Sequence, residues 1–350
     1  MIKQIKINGK IIGKNQPVFI IAEAGVNHNG DIEIAKKLVD VAFEAGADAI
    51  KFQTFNAETL VTKNAKQADY QTENIGKKES QFEMLKRLEL KREYHQELFD
   101  YSTKKGIIFL STPFSEGDVF FLDEIGLPLF KIGSSDTNNL PFLRDVAVMG
   151  KPMIVSTGMS ELNDVLEAVS IIRKSGNENM VVLHCTAQYP TPMNEVNLRA
   201  MLTIQEKCDV LIGYSDHTVG IEVPIAAVAL GATVIEKHFT LDRNMEGPDH
   251  KASLEPNELK AMVGAIRNIE KALGSPNKKV SYVTMKVAEV AQKSLIAAHD
   301  IQAGKIIQKS DVVIKRPGAG IKPKQLEELV GKKTLVNIPV DTIIKWEDIE

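Results

Sequence analysis

Two of the chain's seven histidines stand just beyond apolar runs. His217 closes "VLIGYSDH" and His238 lies in "TVIEKHF". Consecutive strands of this kind would place the two imidazoles side by side. Neutral imidazoles suit a borderline divalent cation such as manganese, iron, cobalt or zinc. Two protein ligands would leave positions open for substrate and water, as a catalytic rather than a structural site does. The other reading gives one histidine to a helix cap and the other to an anion.

Similar runs carry further polar residues at their ends: Glu23; Lys51 and Gln53; Ser111 and Thr112; Lys131, Ser134 and Asp136; Ser156 and Thr157; His184 and Thr186; Ser215 and Asp216; Glu236 and Lys237. Taken singly, a serine or threonine there is most simply a helix N-cap, and a lone histidine a satisfied core residue. Taken together they are harder to set aside. A charge at a buried strand end costs several kcal/mol unless it is paired or coordinated. Glu23, Lys51, Lys131, Asp136 and Lys237 therefore argue for a polar cavity. Lysines and hydroxyls suit phosphate and carboxylate oxygens. The residues point to a metal-assisted enzyme acting on a phosphorylated or carboxylated small molecule.

The elements that would present these residues recur in a regular order. Eight β-rich apolar runs occupy 18–25, 48–54, 107–114, 129–136, 152–159, 180–186, 210–217 and 233–239. Amphipathic helical spacing fills several of the intervals, over 31–46 with Gly46 as terminator, and over 160–176 with Ser160 as N-cap and Gly176 as terminator. The short, very apolar 220–232 reads as a buried helix. Eight nearly all-apolar strands alternating with helices predict a (β/α)8 TIM barrel, with the chemistry at the carboxyl ends of its strands. A doubly wound open sheet is the competing fold, but "AEAGVNHNG" lacks the G-x-G-x-x-G spacing of a dinucleotide loop.

The 350 residues suit one large domain and a small one. The boundaries expected are 1–275 for the barrel with an N-terminal β-hairpin around Asn8-Gly9, 276–290 for a linker, and 291–350 for a small β-rich domain. The polar stretch 54–79 reads as a long loop that would suit a lid over an anionic or sugar-like ligand. A formal net charge of −3 gives no reason to expect nucleic acid or a membrane surface as partner. No apolar stretch has membrane-spanning length. Two cysteines without a signal peptide make the cytoplasm the expected home.

The motifs themselves are familiar. "IAEAGVNHNGD", "KFQTF", "STPF", "KIGSSDTNNLP", "STGM", "LHCTAQYPTP", "GYSDHT", "EKHFTLDRNMEGPDHKASLEP" and "KRPGAGI" resemble the sialic acid synthase family, in order, from about residue 17 onward. The resemblance implies a barrel joined to a C-terminal antifreeze-like SAF domain of β-clip type, in a domain-swapped homodimer. It implies condensation of phosphoenolpyruvate with an N-acetylmannosamine-type sugar, with C–O cleavage and release of phosphate. It implies a divalent metal, Mn2+ first, with Mg2+ or Co2+ as substitutes, held by His217 and His238. Lys51, Gln53, Thr112, Lys131, Ser134, Ser156, Tyr189 and Ser215 would then bind substrate, most of them the phosphate and carboxylate of phosphoenolpyruvate. Glu23 would position the sugar. Asp249 would meet sugar hydroxyls or metal-bound water, and Arg316 would reach the sugar's N-acetyl group in the partner subunit. Two departures stand out. Asp136 occupies a position where the family often has glutamate; it is kept as the acid–base candidate, with its reach shortened by one methylene. Ala187 stands where some members have asparagine, which removes a phosphate contact.

Within that family, N-acetylneuraminate is the expected product and N,N'-diacetyllegionaminate, from 2,4-diacetamido-2,4,6-trideoxymannose, the alternative; pseudaminate is third. Outside it stand a pyruvate aldolase using a Schiff-base lysine, and a sugar-binding protein with an inactive barrel. The aldolase does not need two strand-end histidines. An inactive barrel does not need its buried charges.

Overall fold

The structure is a computed structural model and describes residues 4–350. Met1 to Lys3, the start of the segment read as a hairpin, lie outside the described residues. The hairpin's two strands, β1 (Gln4–Ile7) and β2 (Lys10–Gly13), pair antiparallel around Asn8 and Gly9, both at positive φ. Such a turn matches the twist of the strands it joins.

Eight parallel strands follow: β3 (Phe19–Gly25), β4 (Ala49–Thr54), β5 (Ile108–Pro113), β6 (Phe130–Ile132), β7 (Met153–Ser156), β8 (Met180–His184), β9 (Leu211–Asp216) and β10 (Val234–His238). Their hydrogen-bonded order is β5-β4-β3-β10-β9-β8-β7-β6. The first barrel strand, β3, thus pairs with the last, β10, while β5 and β6 lie side by side without a ladder between them. The fold is the (β/α)8 barrel. The helices between the strands are α1 (Ile32–Ala45), α2 (Ala57–Leu60), α3 (Asp69–Ile75), α4 (Gln81–Leu88), α5 (Arg92–Lys105), α6 (Glu116–Ile125), α7 (Leu140–Ala147), α8 (Leu162–Lys174), α9 (Ala200–Cys208) and α10 (Glu222–Ala229), with α11 (Pro256–Leu273) after β10.

Local chemistry sets the ends of these helices. Asp31 caps α1 by accepting from Glu33 N at 2.7 Å and Ile34 N at 3.1 Å, and Gly46 ends it in the left-handed region. At α8 the cap is Glu161 rather than Ser160, and Asp164, three residues on, reaches back to accept the Glu161 N–H at 2.8 Å. The stretch 54–79 is not a bare loop, because it folds into α2 and α3.

Strand parity divides the barrel's core into two layers. Residues such as Ile20, Ile50, Phe109, Val155 and Ile235 face the helices. Phe19, Ile21, Ala49, Leu110, Leu129, Ile154, Val181, Leu183 and Val234 fill the barrel interior, where the hairpin's Ile5, Ile7 and Ile12 join them and plug the amino end. Gly213 sits at a close approach there: a Cβ would come within 2.5 Å of Leu183 Cδ2 and of Val234 O.

The chain divides after Gly274 into two compact units. In the second, α12 (Tyr282–Ala291) occupies most of the segment read as a linker. β11 (Ser294–Ala297) pairs antiparallel with β12 (Val312–Lys315), and isolated bridges such as Ile301 with Ile338 tie the rest. Leu295, Ile301, Ile307, Ile321, Leu329, Ile338 and Ile344 give this unit a core of its own. Among the described residues, no helix is long and apolar enough to cross a membrane. Cys185 and Cys208 are buried and free.

Candidate active site

The inward positions that are apolar near the amino end become polar at the carboxyl end. One register step along each strand carries Ile21 to Glu23, Ala49 to Lys51, Leu110 to Thr112, Leu129 to Lys131, Ile154 to Ser156 and Val234 to Glu236. These residues line a cavity of about 350 Å³. Gln53, Ser134, Tyr189, Ser215, His217 and His238 complete its expected set.

The cavity is charged yet internally balanced, with two lysines facing two glutamates. Lys51 Nζ lies 2.9 Å from Glu23 Oε2 and donates to Thr112 Oγ1 at 2.9 Å. Lys131 Nζ donates to Ser156 Oγ at 2.7 Å and lies 3.6 Å from Glu236 Oε1. Ser215 Oγ donates to the same oxygen at 3.1 Å. Burial pushes the Glu23 carboxyl up to about 7, against the pull of Lys51. Burial also lowers Lys131 from the usual lysine range, while Glu236 beside both lysines is held below its ordinary value in spite of burial.

His217 and His238 lie across adjacent strands with ring centroids 5.5 Å apart. His217 Nδ1 donates to the Thr186 carbonyl at 2.7 Å, which leaves Nε2 with its lone pair. Burial holds both imidazoles below their usual range and therefore neutral at pH 7. His238 Nδ1 is buried without a hydrogen-bond partner, 3.9 Å from Asp249 Oδ2. Glu236 Oε2 is likewise buried without a hydrogen-bond partner, with Lys51 Nζ 3.7 Å away. Two neutral, converging imidazoles beside unsatisfied buried polar atoms fit a divalent cation. Among the described residues no group of three or more His, Cys, Asp and Glu side chains is gathered to hold one, so the protein would contribute two imidazoles.

Two expected site residues of the first unit, Asp136 and Asp249, do not line the cavity. Asp136 lies in a 3-10 turn, Ser134–Asp136, where its carboxylate accepts from Ser135 Oγ at 3.0 Å and Asn139 Nδ2 at 3.1 Å. Asp249 is buried behind His238, and burial raises it to about 6. Arg316 is exposed in the second unit. Lys237, counted among the cavity cations, faces the opposite side of its strand: it is wholly buried and ion-paired to Asp216. His184 likewise points away, with Nε2 donating to the carbonyls of Val196 and Asn197 at 3.1 Å.

The cavity gains residues that motif reading left without a role. Glu236 is central. Tyr70 and Gln71 come from α3, inside the stretch read as a lid; Tyr70 stacks on Tyr189 at 5.1 Å, and Tyr189 covers His217 at 4.1 Å. Asn74 Nδ2 fastens the same helix to the Pro248 carbonyl at 2.7 Å. Cys185, Ala187 and Met159 also line the cavity. The length of the polar stretch was the one sequence signal for Tyr70 and Gln71.

Family models match residues 38–278 as the NeuB family and residues 292–350 as a SAF domain. The chain belongs to the NeuB family. It is 48% identical, over 93% of its length and 98% of the relative's, to the N,N'-diacetyllegionaminic acid synthase of Campylobacter jejuni. It is 44% identical to the synthase of the same name from Legionella pneumophila, over 99% of this chain and 98% of that one. Among solved structures it resembles the N-acetylneuraminic acid synthetase of Leptospira borgpetersenii, with a TM-score of 0.73 and 37% identity over 83% of this chain and 96% of the other. This NeuB-family chain is therefore an enzyme of the sialic, legionaminic and pseudaminic acid synthase group, with a C-terminal SAF domain.

Proposed function

We propose that this NeuB-family enzyme condenses phosphoenolpyruvate with 2,4-diacetamido-2,4,6-trideoxymannose to give N,N'-diacetyllegionaminate and phosphate. The observation that carries the choice of sugar is the function named for two relatives, 48% and 44% identical over nearly whole chains. The expected product, N-acetylneuraminate, gives way: the neuraminic acid synthetase structure stands at 37% identity over less of the chain.

The cavity's residues suit this reaction. Lys51 and Lys131 supply the positive charge that a phosphate and a carboxylate require. Thr112 and Ser156 already accept from those ammonium groups and hold them in place before substrate arrives. Gln53, Ser134, Ser215 and Tyr189 offer further hydrogen-bonding groups on the same wall. Glu23, at the inner edge, takes the role of positioning the sugar. His217 and His238 would hold the cation, Mn2+ first, with Mg2+ or Co2+ as substitutes. Bound there, it would supply Lewis acidity toward the aldehyde oxygen of the open-chain sugar. C3 of phosphoenolpyruvate forms the new bond to the aldehyde carbon, water adds at C2, and the C–O bond breaks to release phosphate. Asp249 is placed behind His238, where it would orient that imidazole. Arg316 would act on the sugar in a domain-swapped homodimer. The cytoplasm suits two free buried thiols.

The test is phosphate release from phosphoenolpyruvate with Mn2+, run in parallel with N-acetylmannosamine and the trideoxy sugar. A strong preference for the trideoxy sugar is expected. A preference for N-acetylmannosamine would restore the neuraminate reading. Turnover with neither, in protein that binds Mn2+, would remove the sugar class.

A further inference from the structure

We infer that Asp216 and Lys237, which lie on the outer face of the barrel wall, are positioning residues whose ion pair fixes the strand end that presents His217 beside His238. The inference rests on the proposed role of those histidines as cation ligands.

The β9–β10 ladder ends where Lys237 pairs with Asp216, so His217 stands one residue past the last ladder pair. A residue beyond the ladder has no strand partner to define its φ and ψ. Side chains supply the missing restraint. Lys237 Nζ donates to the Thr218 carbonyl at 2.5 Å and meets Asp216 Oδ2 at 2.5 Å. Asp216 in turn accepts from Thr218 N at 3.1 Å and Thr218 Oγ1 at 3.0 Å. On the other side of the chain, Thr191 N donates to the His217 carbonyl at 2.9 Å. The backbone is thus held before and after His217. Strand parity does the rest: 216 and 237 point outward, so their neighbours 217 and 238 point into the cavity.

Asp216, Thr218 and Lys237 are all 0% exposed. A buried ion pair is poor evidence for stability, since a well-packed apolar pair of similar volume is often neutral or better. What an apolar pair cannot do is bind the Thr218 carbonyl, N–H and hydroxyl at once. The pair's distinctive contribution is geometry one residue away from the His217 imidazole, since His238 has its own ladder to Glu23 of β3.

The test separates positioning from folding. The Asp216→Leu, Lys237→Met double variant removes both charges together, so no uncompensated charge is left behind. Its melting temperature is expected to fall, because the buried Thr218 carbonyl, N–H and hydroxyl lose their partners, while the protein stays folded at the temperature of the assay. Mn2+ binding, titrated on metal-free protein by electron paramagnetic resonance, is expected to weaken roughly 10–100-fold, the range seen when outer partners of metal ligands are lost. The visible spectrum of the Co2+-loaded protein is expected to shift, reporting altered ligand geometry. A folded double variant with wild-type Mn2+ affinity and Co2+ spectrum overturns the inference. Should the double variant fail to fold, Thr218→Val serves instead: it removes one bond to Asp216 and keeps both charges. A several-fold loss of Mn2+ affinity supports the inference, and an unchanged affinity overturns it. Wild-type protein that binds no Mn2+ would remove the cation reading and the inference with it; wild-type binding with unaffected variants would remove the inference alone.

Discussion

Lys131 shows how much one side chain carries in this cavity. Its ammonium group donates to Ser156 and to the Ile132 carbonyl and lies 3.6 Å from Glu236. With Lys51 it makes up the cationic half of a balanced set. Lys131→Met keeps the length of the stem and removes the charge, leaving Glu236 with Lys51, 3.7 Å away, as its one remaining lysine neighbour. A charge-assisted hydrogen bond is worth about 1.5–3 kcal/mol, or about 10- to 150-fold in an equilibrium constant. The KM for phosphoenolpyruvate is expected to rise by that order, with a smaller effect on the KM for the sugar. An unchanged KM for phosphoenolpyruvate would take Lys131 out of the anion site.

Among the elements, the join between β4, β5 and α5 depends on a buried neutral histidine. Thr54 Oγ1 lies 2.8 Å from His95 Nε2 and 2.6 Å from Ser111 Oγ, while His95 Nδ1 donates to the Lys91 carbonyl at 3.0 Å. Burial lowers His95 from 6.5 to about 4. The unfolded chain therefore binds the proton first, so stability is fullest above pH 6.5 and falls as the pH drops toward 4. A shift of this size corresponds to about 3 kcal/mol. His95→Gln removes the titrating group, so urea midpoints measured from pH 7 to 4 should fall less steeply in the variant than in wild type; equal slopes would refute it. The strands themselves were readable in the sequence to within a few residues, because near-continuous runs rich in Val, Ile and Phe mark buried parallel strands. Their facing was not readable, since a strand buried on both sides shows no alternation. Parity alone therefore separates Glu236, which lines the cavity, from Lys237, which faces away from it. Asp136 lies off the cavity wall for a related reason: β6 ends at Ile132, and the 3-10 turn after it breaks the strand parity that would aim the carboxylate inward. The helices α2 and α3, of 4 and 7 residues, are too short to announce themselves by periodicity.

At the scale of the whole molecule, two cores imply two unfolding events. The barrel unit has its interior layers, its helix-facing shell and the hairpin plug; the second unit has a separate cluster around Leu295, Ile301, Ile338 and Ile344. A unit with a core of its own can melt on its own. Glu23, Lys51, Lys131, Glu236, His217 and His238 of the candidate cavity belong to the first unit. A ligand that binds the native state alone stabilises it by RT ln(1 + [L]/Kd), about 2.7 kcal/mol at a hundredfold excess over Kd. Calorimetry should therefore resolve two transitions, and Mn2+ with phosphoenolpyruvate should raise one of them and leave the other in place. Were both to rise together, the second unit would be coupled to the ligand, which is the result expected if Arg316 completes the site in a domain-swapped dimer. Repeating the scan with Arg316→Ala separates the cases: a second transition that stops responding assigns the coupling to that guanidinium, and one that still rises assigns it to packing between the units.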